Sequence, residues 1–105
     1  VIKQEMESKM EIRKQGNGVV IQSVLNNHAL DICEGKKKSG TKIIQYDYNG
    51  GENQMWKPEP VGNGFYKFRS CLDPSLFLAV KKQSVDDGGD IEVCSEENPS
   101  IYWRV

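Results

Sequence analysis

The chain of 105 residues is long enough for one small domain and too short for two. Its formal net charge of -1 gives no electrostatic basis for binding nucleic acid or an acidic membrane surface. Ten glycines and several Asn-Gly or Gly-Asn steps, against few runs of helix-forming residues, favour short strands joined by tight turns. The composition therefore predicts an all-β domain.

No apolar stretch is long enough to span a bilayer, and the opening residues VIKQEMESK lack the apolar core of a signal peptide. The absence of an initial Met fits either a mature product or an excised domain. Cys33, Cys71 and Cys94 are odd in number and have no CxxC spacing, so they cannot form a complete disulfide framework within one chain. They favour a reducing compartment but leave one disulfide, and secretion as a processed chain, open. The localisation is not determined.

The tripeptide Gly-Asn-Gly occurs at 16–18 and again at 62–64, an offset of 46 positions, and each copy opens a similar pattern. Self-similarity at this period predicts stacked units that cannot bury their apolar faces alone. Segment 1–14 is charged and could pass for a short helix. The offset instead aligns its Met10 with Trp56, so 1–15 is predicted to be the end of a preceding unit. Each unit closes on a tryptophan, and its first three strands are predicted at 19–25, 29–32 and 42–48, and at 65–72, 77–80 and 90–94.

Apolar residues recur at matching places in the two units and predict shared core layers. Both tryptophans are therefore expected to anchor the core and not to form ligand platforms. The recurring positions are Leu30, Ile32, Ile43, Trp56, Leu78, Val80, Ile91 and Trp103.

Segment 40–47, GTKIIQYD, followed by Asn53-Gln54-Met55-Trp56, resembles the ricin-type, QxW-containing β-trefoil lectin family. The resemblance extends over 16–105 and covers 1–15 only as a remnant. It implies a β-trefoil with shallow binding sites on individual repeats, here with two full repeats and the tail of a first repeat in a single domain spanning 1–105. Because barrel strands rarely keep exposed edges, we expect a second copy, another chain or an excised segment to supply the missing strands.

Recognition of a galactose-type sugar needs a carboxylate that accepts hydroxyl hydrogen bonds, an aromatic face, and an amide that both donates and accepts. The resemblance assigns the carboxylate to Asp31, the stacking ring to Tyr46 and the amide to Asn53. It gives Gln54 a supporting role beside Asn53 and places His28 at the rim of the site. The ordinary alternative is a solvated carboxylate, a half-exposed sheet aromatic and a turn residue.

Other positions depart from the family pattern. Ile44 stands where the family often has a Gln, which removes a polar contact. In the second repeat, Ala79, Cys94 and Ile101 replace the carboxylate, the aromatic and the supporting amide, so this repeat is expected to be structural only. The family's disulfide positions correspond to Ala29 and Tyr48, which leaves the three cysteines as expected small apolar core residues. A single shallow site predicts binding of roughly millimolar strength.

Other chemistry has weaker support. The only histidine, His28, has no orienting third group for nucleophilic catalysis, so no enzymatic activity is predicted. The acidic loop 86–90, DDGGD, lacks the ligand pattern of an EF-hand and predicts a hairpin loop, with no metal and no cofactor. Lys36-Lys37-Lys38 is typical of a solvated loop tip and could alternatively contact an acidic sugar or phosphate.

The sequence thus predicts a carbohydrate-binding module for galactose or N-acetylgalactosamine type glycans, acting as a homo-oligomer or with a second chain. Two alternatives remain open. One is a protein-interaction or structural module without sugar binding, and the other is the targeting part of a larger protein.

Overall fold

The computed structural model describes residues 10–81 and 91–104. These residues form nine β-strands and three short 3-10 turns, which agrees with the all-β prediction. The strands are β1 (Met10–Gln15), β2 (Gly18–Ser23), β3 (Ala29–Ile32), β4 (Ile43–Tyr46), β5 (Trp56–Gly62), β6 (Phe65–Ser70), β7 (Phe77–Val80), β8 (Ile91–Cys94) and β9 (Trp103–Arg104). The 3-10 turns are Cys33–Gly35, Glu52–Gln54 and Pro99–Ile101.

The strand pairing confirms the predicted repeat. All pairs are antiparallel; the main order is β4-β3-β2-β5-β6-β7-β8, with β1 added to β2 and β9 to β6. Strands β2 to β5 and strands β6 to β9 have the same connectivity, in which an inner hairpin lies between two outer strands that pair with each other. Among the described residues, β1 pairs only with β2 and β9 only with β6, so each has one open edge.

Both tryptophans are core anchors, as predicted. Trp56 and Trp103 are fully buried, and each indole Nε1 donates a hydrogen bond to the carbonyl of the second residue in its own hairpin. These bonds join Trp56 to Leu30 O at 3.4 Å and Trp103 to Leu78 O at 2.9 Å. The indoles thereby satisfy their polar atoms while filling the core between hairpin and outer strands.

The remaining recurring apolar positions also line this core. Leu30, Ile32 and Leu78 are buried, and Ile43, Val80 and Ile91 pack against them while partly exposed. In the turn between β5 and β6, Gly62, Asn63 and Gly64 all have positive φ, which glycine and asparagine adopt at the lowest steric cost. The Gly-Asn-Gly step at 62–64 is therefore a turn requirement.

Several sequence expectations differ from the structure. Cys33, Cys71 and Cys94 are free but half-buried, not buried, because each lies at or beyond a strand end where packing is incomplete. Strand β4 ends at Tyr46 and not at residue 48, since a loop begins there whose backbone bonds to the Gln54 side chain. Segment 1–9 and the acidic loop 86–90 lie outside the described residues.

Candidate functional site

The β3–β4 hairpin carries the candidate carboxylate and the candidate aromatic on one face. Asp31 pairs with Ile44, and Ala29 pairs with Tyr46. Because cross-strand partners project to the same side of a sheet and alternate residues share a face, Asp31, Ile44 and Tyr46 belong to one surface.

Asp31 is buried and held by two side-chain amides. Asn53 Nδ2 donates to Asp31 Oδ1 at 3.0 Å, and Gln54 Nε2 donates to Asp31 Oδ2 at 2.9 Å. Asp31 is 4% exposed, so these bonds replace water around an otherwise costly buried charge. The structure thus brings the predicted carboxylate and both predicted amides together.

Gln54 holds the carboxylate directly, whereas the sequence placed it beside Asn53. Its side chain is fully buried and also donates to Asp47 O at 2.8 Å, while its Oε1 accepts from Asn49 N at 2.9 Å. One amide therefore fixes both the carboxylate and the loop that follows β4. The turn Glu52–Gln54 positions it, with Gln54 N donating to Gly51 O at 3.0 Å.

Asn53 uses both protons of its amide. Besides Asp31, its Nδ2 donates to Ile32 O at 3.3 Å. A β-carbon built on Gly51 would lie 2.8 Å from Asn53 Oδ1 and 3.0 Å from Asn49 Oδ1, so any other residue must displace these side chains. Gly51 was not recognised from sequence, because its requirement comes from a close approach and not from a positive φ.

His28 is linked to the site through Asp47. Its Nε2 is 2.9 Å from Oδ1 of the exposed Asp47, and no hydrogen bond joins it to Asp31 among the described residues. The contact ties the turn before β3 to the loop after β4, so His28 and Asp47 border the site. Asp47 was missed at the sequence level because nothing in the spacing distinguishes it from a solvated loop residue.

The side chain of Tyr46 is available for stacking. It is 54% exposed at the end of β4. Ile44 lies two residues before Tyr46 and is half-buried. Its side chain is apolar, whereas the family pattern often has a polar Gln at this position.

The second repeat is filled with apolar side chains. Phe77, Ala79 and Ile101 form a buried cluster, with Cys94 packed against it. In its 3-10 turn, Asn98 Oδ1 accepts from Ser100 N at 2.8 Å and so caps the turn. Among its described residues, this hairpin holds none of the carboxylate and amide contacts seen around Asp31.

Four ionisable groups of the described residues have shifted pKa values: Glu59, Arg69, Cys71 and Asp73. A hydrogen bond from Arg69 Nε to Glu59 Oε2, at 2.5 Å, lowers the pKa of Glu59 and raises that of Arg69. Burial raises the pKa of the Cys71 thiol. Hydrogen bonds from the backbone and side chain of Ser75 lower the pKa of Asp73. These shifts belong to a surface ion pair, a half-buried thiol and an exposed turn carboxylate.

The described ranges hold no group of three or more His, Cys, Asp or Glu residues that could bind a metal ion. Within the same ranges no helix is both long and apolar enough to cross a membrane.

Three solved structures share this architecture. A designed three-fold symmetric protein, ThreeFoil, is 28% identical with a TM-score of 0.83, over 90% of this chain and 69% of that one. An exo-β-1,3-galactanase from Clostridium thermocellum is 35% identical with a TM-score of 0.82, over 90% of this chain and 21% of that one. A mosquitocidal holotoxin is 29% identical with a TM-score of 0.76, over 90% of this chain and 12% of that one. No curated protein matches the chain significantly.

Residues 8–93 match the family described as "Ricin-type beta-trefoil lectin domain-like". The match covers the first hairpin, the closing tryptophan of the first repeat and the second hairpin up to residue 93. It agrees with the paired four-strand units and with the trefoil neighbours. The predicted trefoil architecture is confirmed, and the chain belongs to the ricin-type β-trefoil lectin-like domain family.

Proposed function

We propose that the chain binds a galactose or N-acetylgalactosamine type glycan through the first repeat, with Asp31 as the hydroxyl acceptor. The observation that carries the proposal is the buried carboxylate held by two amides beside an exposed tyrosine. Each carboxylate oxygen has accepted one hydrogen bond, and an ionised carboxylate has about four acceptor sites in all. Asp31 would therefore offer one further acceptor position on each oxygen to a pair of adjacent sugar hydroxyls.

The neighbouring groups complement this acceptor. Both protons of Asn53 Nδ2 are engaged by Asp31 and Ile32, so its Oδ1 is the atom that would accept from a sugar hydroxyl. Tyr46 offers an apolar face on the same side of the hairpin, against which the C-H face of a sugar ring would stack. His28 and Asp47 would border the bound sugar at the rim.

The region of the exo-β-1,3-galactanase that matches this chain is 35% identical to it. This similarity supports a ligand that contains galactose. The chain spans 21% of that protein and 12% of the holotoxin, so we also propose that it serves as a recognition module and does not itself perform chemistry.

The binding strength should be low for one site. An open site of this kind gives a Kd of roughly 1 mM, or about -4 kcal/mol, and useful avidity requires several sites. The open edges of β1 and β9 are where a second copy, another chain or a further segment would add strands. Sedimentation velocity tests this, and a folded monomer at binding concentrations would contradict the assembly of copies.

The test of sugar binding is isothermal titration with galactose and lactose, supported by a glycan array. Asp31→Ala should abolish binding. Tyr46→Ala should weaken it by about tenfold, because stacking contributes on the order of 1 kcal/mol. The matched control is Tyr48→Ala, which removes a neighbouring tyrosine that is 38% exposed and should leave the affinity unchanged.

Circular dichroism must show that each variant keeps its fold. Folded wild-type protein that binds no sugar on the array would overturn the lectin proposal. That result would shift the function to docking of a protein partner.

A further inference from the structure

A basic pocket lies at the far end of the same hairpin. Residues of the loop between β3 and β4, from Cys33 to Lys42, line an open pocket of about 450 Å³. Three lysines and one glutamate contribute charged side chains to its lining: Lys36, Lys38, Lys42 and Glu34.

The pocket lining contains more lysines than acidic residues. Glu34 lies 3.5 Å from Lys36 Nζ and offsets that charge. Glu92 is the backbone bridge partner of Lys42 but makes no ion pair with it in the described residues. Lys38 likewise has no ion pair in that part of the chain, so two ammonium groups keep their charge available.

The loop is held in place by hydrogen bonds to the second repeat. Gly40 N donates to Val93 O at 2.7 Å, and Val93 N donates to Thr41 O at 2.9 Å. Ser95 N donates to the Ser39 hydroxyl at 3.0 Å. Three attachments to β8 and the residue after it make this a preformed pocket, which lowers the entropic cost of binding.

Lys42 of the pocket and the Asp31 site share one hairpin face. Cys33 N donates to Lys42 O at 3.1 Å, continuing the ladder two residues past the pair of Asp31 and Ile44. Two residues along a strand span about 7 Å, and alternation puts Lys42 on the face of Ile44 and Tyr46. One oligosaccharide could therefore reach both places.

We propose that this pocket binds an anionic substituent, a sulfate ester or a sugar carboxylate, on the glycan whose galactose unit binds at Asp31. The ligand class is then an acidic oligosaccharide. This inference rests on the proposed function, and it adds a second contact that no feature of the Asp31 site supplies. Lysine suits the role because its ammonium acts as a point charge with three rotatable donors.

The test compares lactose, its monosulfated derivatives and digalacturonic acid by isothermal titration with the full chain. We expect at least one acidic ligand to bind about tenfold more tightly than lactose at low salt, as for a charge-assisted contact. The doubly substituted Lys38→Gln/Lys42→Gln protein should lose this advantage and keep its affinity for lactose. The control is Lys14→Gln/Lys57→Gln, which removes two exposed lysines elsewhere and should retain the advantage.

The outcomes separate the two proposals. Preference for the sulfated sugars alone, or for the uronate alone, supports the pocket and identifies its anion. Equal binding of lactose and all acidic ligands overturns the pocket and leaves sugar binding at Asp31 intact. An advantage that survives in Lys38→Gln/Lys42→Gln also overturns the pocket, and absence of binding to every sugar overturns both proposals.

Discussion

Replacing Gln54 by isoleucine should destabilise the fold because it removes the polar atoms of a fully buried side chain. The change copies Ile101, which fills the equivalent place in the second repeat and is also fully buried. Isoleucine cannot donate to Asp31 Oδ2 or Asp47 O, and it cannot accept from Asn49 N. The change therefore removes three hydrogen bonds.

The size of the effect follows from which partners water can reach. Asp47 and Asn49 lie in an exposed loop, so their lost bonds are largely replaced by water. Asp31 is buried, and a buried group left without its partner costs about 1–3 kcal/mol, more when it is charged. We expect a loss of about 2–3 kcal/mol from a total of about 5–15 kcal/mol for a domain.

Urea unfolding followed by tryptophan fluorescence measures this loss. With an m-value of about 2 kcal/mol per M, the midpoint should fall by roughly 1–1.5 M. The control Ile101→Val removes one methylene from the second repeat and should cost only about 0.5–1.5 kcal/mol.

The double variant Asp31→Ala/Gln54→Ile reproduces the apolar pair of the second repeat. Because the buried charge is then absent, its loss of stability should be smaller than the sum of the single losses by about 1 kcal/mol or more. An unchanged midpoint in Gln54→Ile, or single losses that add within about 0.5 kcal/mol, would refute the coupling between carboxylate and amide.

Three further predictions concern other contacts. Gly51→Ala should displace Asn53 and weaken sugar binding by about tenfold while changing the unfolding midpoint little, because the close contacts are with two side-chain oxygens, of Asn53 and Asn49; calorimetry and urea unfolding separate the two effects. Trp103→Phe should lose about 2–4 kcal/mol of stability through a lost hydrogen bond and a cavity, and an unchanged urea midpoint would contradict the anchoring role. The pKa of Glu59 is lowered from 4.5 by the hydrogen bond from Arg69, so its stabilising contribution is present above about pH 4.5 and is lost as the pH falls through the folded-state pKa. Glu59→Gln should make the pH dependence of the unfolding free energy shallower below pH 4.5, and an unaltered slope would show that the ion pair is screened by solvent.

Much of the fold could be predicted because short local motifs mark its turns and the end of each repeat. Glycine and asparagine at 62–64 are required by the positive φ angles of a turn, and the two tryptophans recur where each unit closes. The proximity of Asp31 and Asn53 followed from the family resemblance, although 22 residues separate them.

The contacts that the sequence could not predict depend on the relative positions of separate loops. The bond between His28 and Asp47 requires two loops to approach, and no periodicity encodes that approach. Gln54 reaches Asp31 because of the local backbone of a three-residue turn. The half-burial of the three cysteines likewise depends on where strands end, which sequence patterns locate only within a few residues.

The apolar filling of the second repeat constrains the order in which such a repeat could acquire a sugar site. Placing aspartate at Ala79 first would bury a charge among Phe77 and Ile101 without a partner, at a cost of several kcal/mol. Placing glutamine at Ile101 first would bury only a neutral amide, which is the smaller penalty. A repeat that gains a sugar site stepwise should therefore acquire the amide before the carboxylate. A repeat that loses its site should lose the carboxylate before the amide.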